Sequence, residues 1–291
     1  MDSKKEIYDL IPQKYYPNTI FIKENTSSKQ LHEIFEKAGF SFPLIVKPDM
    51  GLRGSAVKKV NDFNQLFEYN SLANFDYLLQ DVIPFSNEVG IFYVRFPCER
   101  NGKITGIVGK EFLEVVGDGK LTIEQLVKQN PRFEMQLTSL KKEYGTKMNI
   151  VLQKGEKLNL VPLGNHCRGS KFLDYSHLIS DKLTKVIDEI CLQIPEFYFG
   201  RMDVMYNTWE ELESGINFQI IELNGAASEP THIYDPKHSI FFAWKELARH
   251  TSYMYKISIA NNKRGYNFLS HKEGMLQYRL HNEMVKKYDK F

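Results

Sequence analysis

The sequence predicts an α+β fold, and three observations predict it. Apolar segments of strand length recur in neighbouring pairs, capped helices with a single apolar stripe stand between them, and strands outnumber helices in the first half. At 291 residues, with 42% hydrophobic and 25% charged residues, the chain can bury a sizeable core as one large domain or two intimate ones.

Taken in order, Ser27 to Gly39 reads as a helix. Ser27 with Gln30 makes a capping box, Leu31, Ile34, Phe35 and Ala38 form the stripe, and Gly39 ends it. Phe42 to Val46 follows as a strand. Lys47 to Val57 (KPDMGLRGSAV) then places Gly51 and Gly54 among small and basic residues before a returning apolar segment, Val57 to Val60. A strand, a glycine-bearing turn and a returning strand make a flap whose backbone N–H groups can reach phosphate oxygens, with Lys47 at its base.

Asp62 to Tyr69 has helical spacing and Tyr77 to Ile83 is a buried strand. Asn87 to Arg95 and Lys103 to Val108 read as paired strands joined across Asn101 and Gly102. Thr122 with Gln125 caps a further helix after a turn at Gly117 to Gly119. Lys128 to Tyr144 is polar and reads as helix or loop, Met148 to Gln153 and Lys157 to Leu163 as another strand pair, and Gly164 to Lys171 as a basic loop. Ser180 caps a helix striped by Leu183, Val186, Ile187 and Ile190. The tail from His238 reads as helical and then irregular, with a break at Gly265.

The most informative pair of segments comes last. Period-two alternation in Gly200 to Tyr206 sets Arg201, Asp203 and Met205 on one face, and in Phe218 to Asn224 it sets Ile220, Glu222 and Asn224 on one face. Two such strands can aim two carboxylates and an amide oxygen at one hard cation such as Mg²⁺.

Charge and cysteine usage narrow the function classes. A formal net charge of +2 argues against general affinity for nucleic acid or membrane surfaces, so small partners are expected. Cys98, Cys167 and Cys191 lack zinc spacing and suit a reducing, cytoplasmic setting. The charged segment Met1 to Glu6 does not read as a signal peptide, and no apolar stretch approaches the roughly 18 residues of a spanning helix.

With these residues together, the chain resembles the ATP-grasp superfamily, and within it the carboxylate–amine ligases of the D-alanine–D-alanine ligase and cyanophycin synthetase types. The match runs in family order from about Tyr16 to Pro236. The resemblance implies two α+β lobes, 1–82 and 83–291, with ATP bound between them and without a complete N-terminal domain ahead of the ATP-grasp core. It implies ATP-binding roles for Lys47, for Gly51, Gly54, Ser55 and Val57 in the flap, for Gln80, Asp81, Val82 and Ile83 as the adenine hinge, and for Glu88 on the ribose hydroxyls. Asp203, Glu222 and Asn224 become ligands for Mg²⁺, with Mn²⁺ the alternative ion, and Arg201 the cation on the developing acyl phosphate. Arg95, Arg168, Lys171, Glu229 and His232 are substrate candidates, with His166 and Tyr234 beside them, and Lys4 or Lys5 is left as the second phosphate lysine.

The activity implied is ATP-dependent joining of a small carboxylate to an amine through an acyl phosphate, in a chain for which a homodimer is the expected oligomer. A phosphotransferase on the same fold and an ATP-binding module without turnover are the alternatives.

Overall fold

The structure is a computed structural model, and it describes residues 3–51, 54–160 and 170–288. In chain order the elements are α1 (Lys4–Leu10), β1 (Thr19–Ile22), α2 (Ser28–Lys37), β2 (Leu44–Pro48), β3 (Lys58–Val60), α3 (Phe63–Leu72), β4 (Tyr77–Asp81), β5 (Asn87–Val94), β6 (Lys103–Glu111) and β7 (Glu114–Val116). There follow α4 (Ile123–Lys128), α5 (Pro131–Glu134), α6 (Leu137–Tyr144), β8 (Lys157–Asn159), β9 (Lys171–Asp174), α7 (Asp181–Cys191), β10 (Phe199–Tyr206), α8 (Trp209–Glu213), β11 (Phe218–Asn224), α9 (Ile240–Lys263) and α10 (His271–Tyr288).

Two antiparallel sheets organise the molecule. The first, in the order β1-β4-β2-β3, packs α2 and α3 on one face through Leu31, Phe35, Leu66 and Tyr69 against Leu44, Val46 and Leu79. The second, in the order β11-β10-β5-β6-β9, buries Ile91, Met202, Val204 and Ile220 against Leu183, Ile187 and Ile190 of α7. A third core gathers Leu113, Val115, Leu126, Leu140 and Leu160 around α4, α6 and the pair β7–β8.

The chain ends cross between the sheets. Tyr8 of α1 and Ile11 just after it join the core of the second sheet, whereas Met284 of α10 packs on the core of the first and Lys287 Nζ donates to the Asn74 carbonyl at 3.2 Å.

Capping chemistry, read from sequence at Ser27, Thr122 and Ser180 and found also at Asp62, sets the helix starts. Ser27 and Thr122 close full capping boxes with Gln30 and Gln125, Asp62 and Ser180 cap α3 and α7, and Gly39 takes φ +68° after α2.

Three segments differ from expectation. Met148 to Gln153 is a 3₁₀ turn, Gly145–Asn149, and then a single bridge from Val151 to Thr122, because Met148 and Leu152 turn into the third core. Lys157–Asn159 consequently pairs with Glu114–Val116 instead. Gly117 permits that close approach, since a Cβ there would sit 2.2 Å from the Gln153 carbonyl oxygen. Val94 pairs with Lys103, so β5 and β6 are joined by residues 95–102, and Gly102 N and Asn101 Nδ2 donate to the buried Asp188 carboxylate. Beyond Gly265, at φ +101°, the tail is helical as α10 rather than irregular.

Candidate functional site

The site lies where the two sheets meet under α1. On β11 the register slips between Asp203 and Val204 of its partner β10, leaving Ile221 as an extra, unpaired residue. That bulge changes the faces expected from strict alternation: Ile220 and Leu223 both go into the core, while Glu222 and Asn224 face away from it. It also frees the Ile221 carbonyl, which accepts from the Tyr8 hydroxyl and, at 3.4 Å, from Lys47 Nζ of β2.

Lys47 is buried and held on three sides. Its Nζ donates to Gln80 Oε1 at 2.9 Å and lies 2.8 Å from the Tyr8 hydroxyl, with the Tyr8 ring beneath it. Gln80 Nε2 in turn donates to Thr19 Oγ1 at 2.6 Å, so the Gln80 amide is committed to placing Lys47. Burial lowers the Lys47 pKa to about 8, against the attraction of Glu222.

Of the two N-terminal lysines, Lys5 pairs with Asp9 on the surface, while Lys4 Nζ donates to the carbonyls of Gly51 at 2.9 Å and Asp49 at 3.4 Å. Burial lowers the Lys4 pKa too, with Glu222 and Asp49 opposing. Asp49 anchors α1 by accepting from Lys5 N and Ser3 Oγ at 2.8 and 3.0 Å.

On the second sheet, four charges form one buried cluster. Arg201 forks onto Asp203, Nε to Oδ1 at 2.8 Å and Nη2 to Oδ2 at 3.2 Å. Lys110 Nζ lies 3.4 Å from Asp203 Oδ2 and pairs with Glu88. Burial disfavours the charged Asp203, but Arg201 and Lys110 prevail and hold its carboxyl below the usual range. Burial raises the Glu88 pKa, opposed by Lys110 and reinforced by Asp203.

Room for this cluster comes from Gly90, where a Cβ would lie 2.8 Å from both Asp203 Oδ1 and Val108 Cγ1 and 3.0 Å from Arg201 Cδ. Gly90→Ala is therefore expected to cost about 1–3 kcal/mol by overpacking and to dislodge the Arg201–Asp203 fork. Denaturant unfolding checks the first, and a pH titration of Asp203 by NMR the second.

Lys110 was not singled out in the sequence. It stands two residues past the expected strand end at Val108; β6 runs on to Glu111 and sets Lys110 on the face of Glu88 and Asp203. Tyr8 was missed as well, and its signal was the apolar stripe Ile7, Tyr8 and Ile11 directly after the charged segment Met1 to Glu6.

Glu222 is half-buried and makes no hydrogen bond or ion pair among the described residues, and Asn224 Nδ2 is buried without a partner. They stand across from Asp203 and Arg201 on β10. Among the described residues no three His, Cys, Asp or Glu side chains form a metal cluster; Asp203 and Glu222 reach three oxygen-bearing side chains only with Asn224. That all-oxygen set, with Glu222 and Asn224 uncommitted, suits a hard divalent cation.

The remaining candidates scatter. Gly51, Gly54, Ser55 and Val57 form the turn between β2 and β3, with Gly54 at φ +71°. Asp81, Val82 and Ile83 follow at the end of β4, where Asp81 N donates to the Asn18 carbonyl. Glu229 stays close to the cluster: its carbonyl accepts from Arg201 Nη1 at 3.4 Å, and its carboxylate from Tyr234 at 2.8 Å.

Arg95 is about 23 Å along β5 from Glu88, stacked on Tyr198. Lys171 pairs with Glu111 at 3.6 Å on the edge strand β9. His232 is buried over Gly106 against Glu246 of α9. Arg168 and His166 lie outside the described residues, as do Leu52 and Arg53 of the flap.

Two antiparallel sheets meeting over a seam of lysines and carboxylates define the ATP-grasp fold, and this chain has it. It is similar to D-alanine–D-alanine ligase from Bacillus anthracis, with a TM-score of 0.50 at 13% identity over 91% of this chain and 69% of that one. VanG D-Ala:D-Ser ligase from Enterococcus faecalis aligns at TM-score 0.48 and 16% identity over 85% of this chain and 60% of that one. A bifunctional glutathione synthetase from Pasteurella multocida aligns at 0.42 and 14% over 80% and 33%. The chain thus spans only a third and three fifths of these last two proteins. No protein-family model and no curated protein matches it.

Proposed function

We propose that the chain is an ATP- and Mg²⁺-dependent ligase that joins a small carboxylate to an amine, its lobes 1–82 and 83–291 clasping the nucleotide. The observation that carries this reading is the convergence of Lys4, Lys47, Lys110 and Arg201 on the seam that also presents the uncommitted Glu222 and Asn224. Arg201 and Lys110 are paired with Asp203 and Glu88, but among the described residues Lys4 and Lys47 bond only neutral oxygens, and this surplus of cations at one seam suits a polyanion such as a triphosphate.

Asp203, Glu222 and Asn224 would hold Mg²⁺, which when bound supplies charge neutralisation to the phosphates. Lys47 and Lys4 would grip the terminal phosphates from the first sheet and Lys110 from the second, with the 51–57 turn closing over them. The backbone of Val82 and Ile83 would take the adenine edge while Gln80 keeps Lys47 in place, and Glu88, released from Lys110, would take the ribose hydroxyls. Arg201 would stabilise the negative charge developing as the substrate carboxylate attacks the γ-phosphate and, later, as the amine attacks the acyl phosphate; Glu229, whose carbonyl Arg201 contacts, would face the amine.

The test is ADP and free phosphate release with pairs of carboxylates and amines. A ligase liberates phosphate only with both partners present. Phosphate retained on the carboxylate product would identify a phosphotransferase, and ATP binding with no product in any pairing would identify a binding module.

A further inference from the structure

A cavity of about 360 Å³ lies between the start of β6, the residues after β9 and the inner face of α9, apart from the nucleotide seam. Its polar walls include Lys103, Asp174, His232, Glu246 and Arg249, and Phe242 and Tyr253 supply aromatic surface. The volume falls within the range of small-molecule pockets.

Both of its carboxylates are engaged by neighbouring donors. Asp174 takes His238 Nε2 at 2.7 Å and Ser176 N at 2.8 Å, while Glu246 takes Arg249 Nη2 and lies 3.4 Å from His232 Nε2. Two of its donors are not so engaged: Arg249 Nε is buried with no partner, and Lys103 Nζ has only the Tyr253 ring, 5.1 Å away, among the described residues. A pocket whose carboxylates already face neighbouring donors, and whose Arg249 Nε and Lys103 Nζ lack a protein acceptor among the described residues, favours a ligand that accepts hydrogen bonds, and a guanidinium fork is shaped for a carboxylate. The rings of Phe242 and Tyr253 beside those donors favour an anion with an organic body over a bare inorganic one.

We propose that this cavity binds a small organic carboxylate, its anionic end between Arg249 and Lys103 and its body against Phe242 and Tyr253. The site is wired to the seam: Arg249 shares Glu246 with His232, and the 3₁₀ turn that carries His232, Thr231–Tyr234, follows Glu229, whose carbonyl Arg201 contacts.

Calorimetric titration of the full chain with succinate and with benzoate, against inorganic phosphate, tests the proposal without any ATP turnover. One of the two carboxylates is expected to bind with a dissociation constant at least tenfold below that of phosphate. Lys103→Gln, at an exposed residue whose loss leaves the packing intact, is expected to weaken that binding at least threefold. Arg249→Lys, which keeps the charge and loses the fork, is expected to weaken it at least tenfold. Lys47→Met, at the seam, should leave it unchanged, which separates this site from the nucleotide site. No binding of either carboxylate, or equal binding of phosphate, overturns the proposal, as does carboxylate binding undiminished in the Lys103→Gln Arg249→Lys double variant.

Discussion

Stability of the wild-type chain is expected to rise between about pH 8 and pH 10.5, and Lys47→Met is expected to remove its share of that rise and leave the part due to Lys4, whose pKa burial also lowers. The unfolded chain holds the lysine proton up to its ordinary value of 10.5, whereas burial lowers the pKa of the folded Lys47 to about 8. Between those values the unfolded state binds more protons, so raising the pH favours the folded one; below pH 8 the full cost of a buried ammonium is present. The span corresponds to about 3 kcal/mol, an upper figure because Gln80 and Tyr8 recover part of it by bonding the charge.

Tyr8, whose hydroxyl pKa is raised by burial and held down in part by Gln80, pushes stability the other way at high pH. The decisive quantity is therefore the difference between wild type and Lys47→Met in urea unfolding at pH 7 and pH 9.5. A difference that does not change with pH would show that the folded lysine keeps its proton at both, as the unfolded one does.

The same substitution separates stability from function. A cation kept at a net cost in the free protein is stabilised when an anion arrives, and a hydrogen bond to a charged group contributes about 1.5–3 kcal/mol. Lys47→Met is thus expected to weaken ATP binding at least tenfold, read as a loss of the thermal stabilisation that saturating ATP and Mg²⁺ confer. Retained stabilisation would remove Lys47 from the nucleotide site.

Most of the scaffold was legible because local chemistry dictated it. Ser27, Thr122 and Ser180 cap the helices they were expected to cap, and Phe218–Asn224 is a strand with the bounds that its apolar run suggested. What local pattern could not give was decided by pairing and burial over long distance. The Ile221 bulge depends on the register against β10, and it decides that Ile220 leaves the face of Glu222.

Lys110 gains its meaning only from Glu88 and Asp203, 22 and 93 positions away in the chain, and Tyr8 only from a carbonyl 213 positions away. His232 and Arg95 show the reverse. Their residue types suited a substrate role, but folding sends one under α9 and the other far along β5, so residue type alone placed them with the cluster.

Asp203→Asn and Glu222→Gln are expected to give unequal stability results from the same chemical change. Asp203 is almost wholly buried, and both its oxygens meet cations, so the amide leaves Arg201 and Lys110 short of a counter-charge; removing one partner of such a buried cluster costs about 3–5 kcal/mol. Because the folded pKa of Asp203 is depressed, its stabilisation is present above the unfolded value and lost as pH falls through the folded one, so the deficit of the variant should shrink in acid. Glu222 makes no hydrogen bond or ion pair among the described residues and acts on Lys47, Lys4 and Arg201 only through space, so Glu222→Gln should cost about 1 kcal/mol, well below Asp203→Asn. In nucleotide-dependent turnover the order disappears: each variant removes one proposed metal oxygen, and each is expected to lose at least a hundredfold in phosphate release. A stable Glu222→Gln protein that still turned over at the wild-type rate would exclude the metal assignment, since no folding defect could be blamed. An equally stable Asp203→Asn protein would instead show that Arg201 and Lys110 find their counter-charge in Glu222 and Glu88.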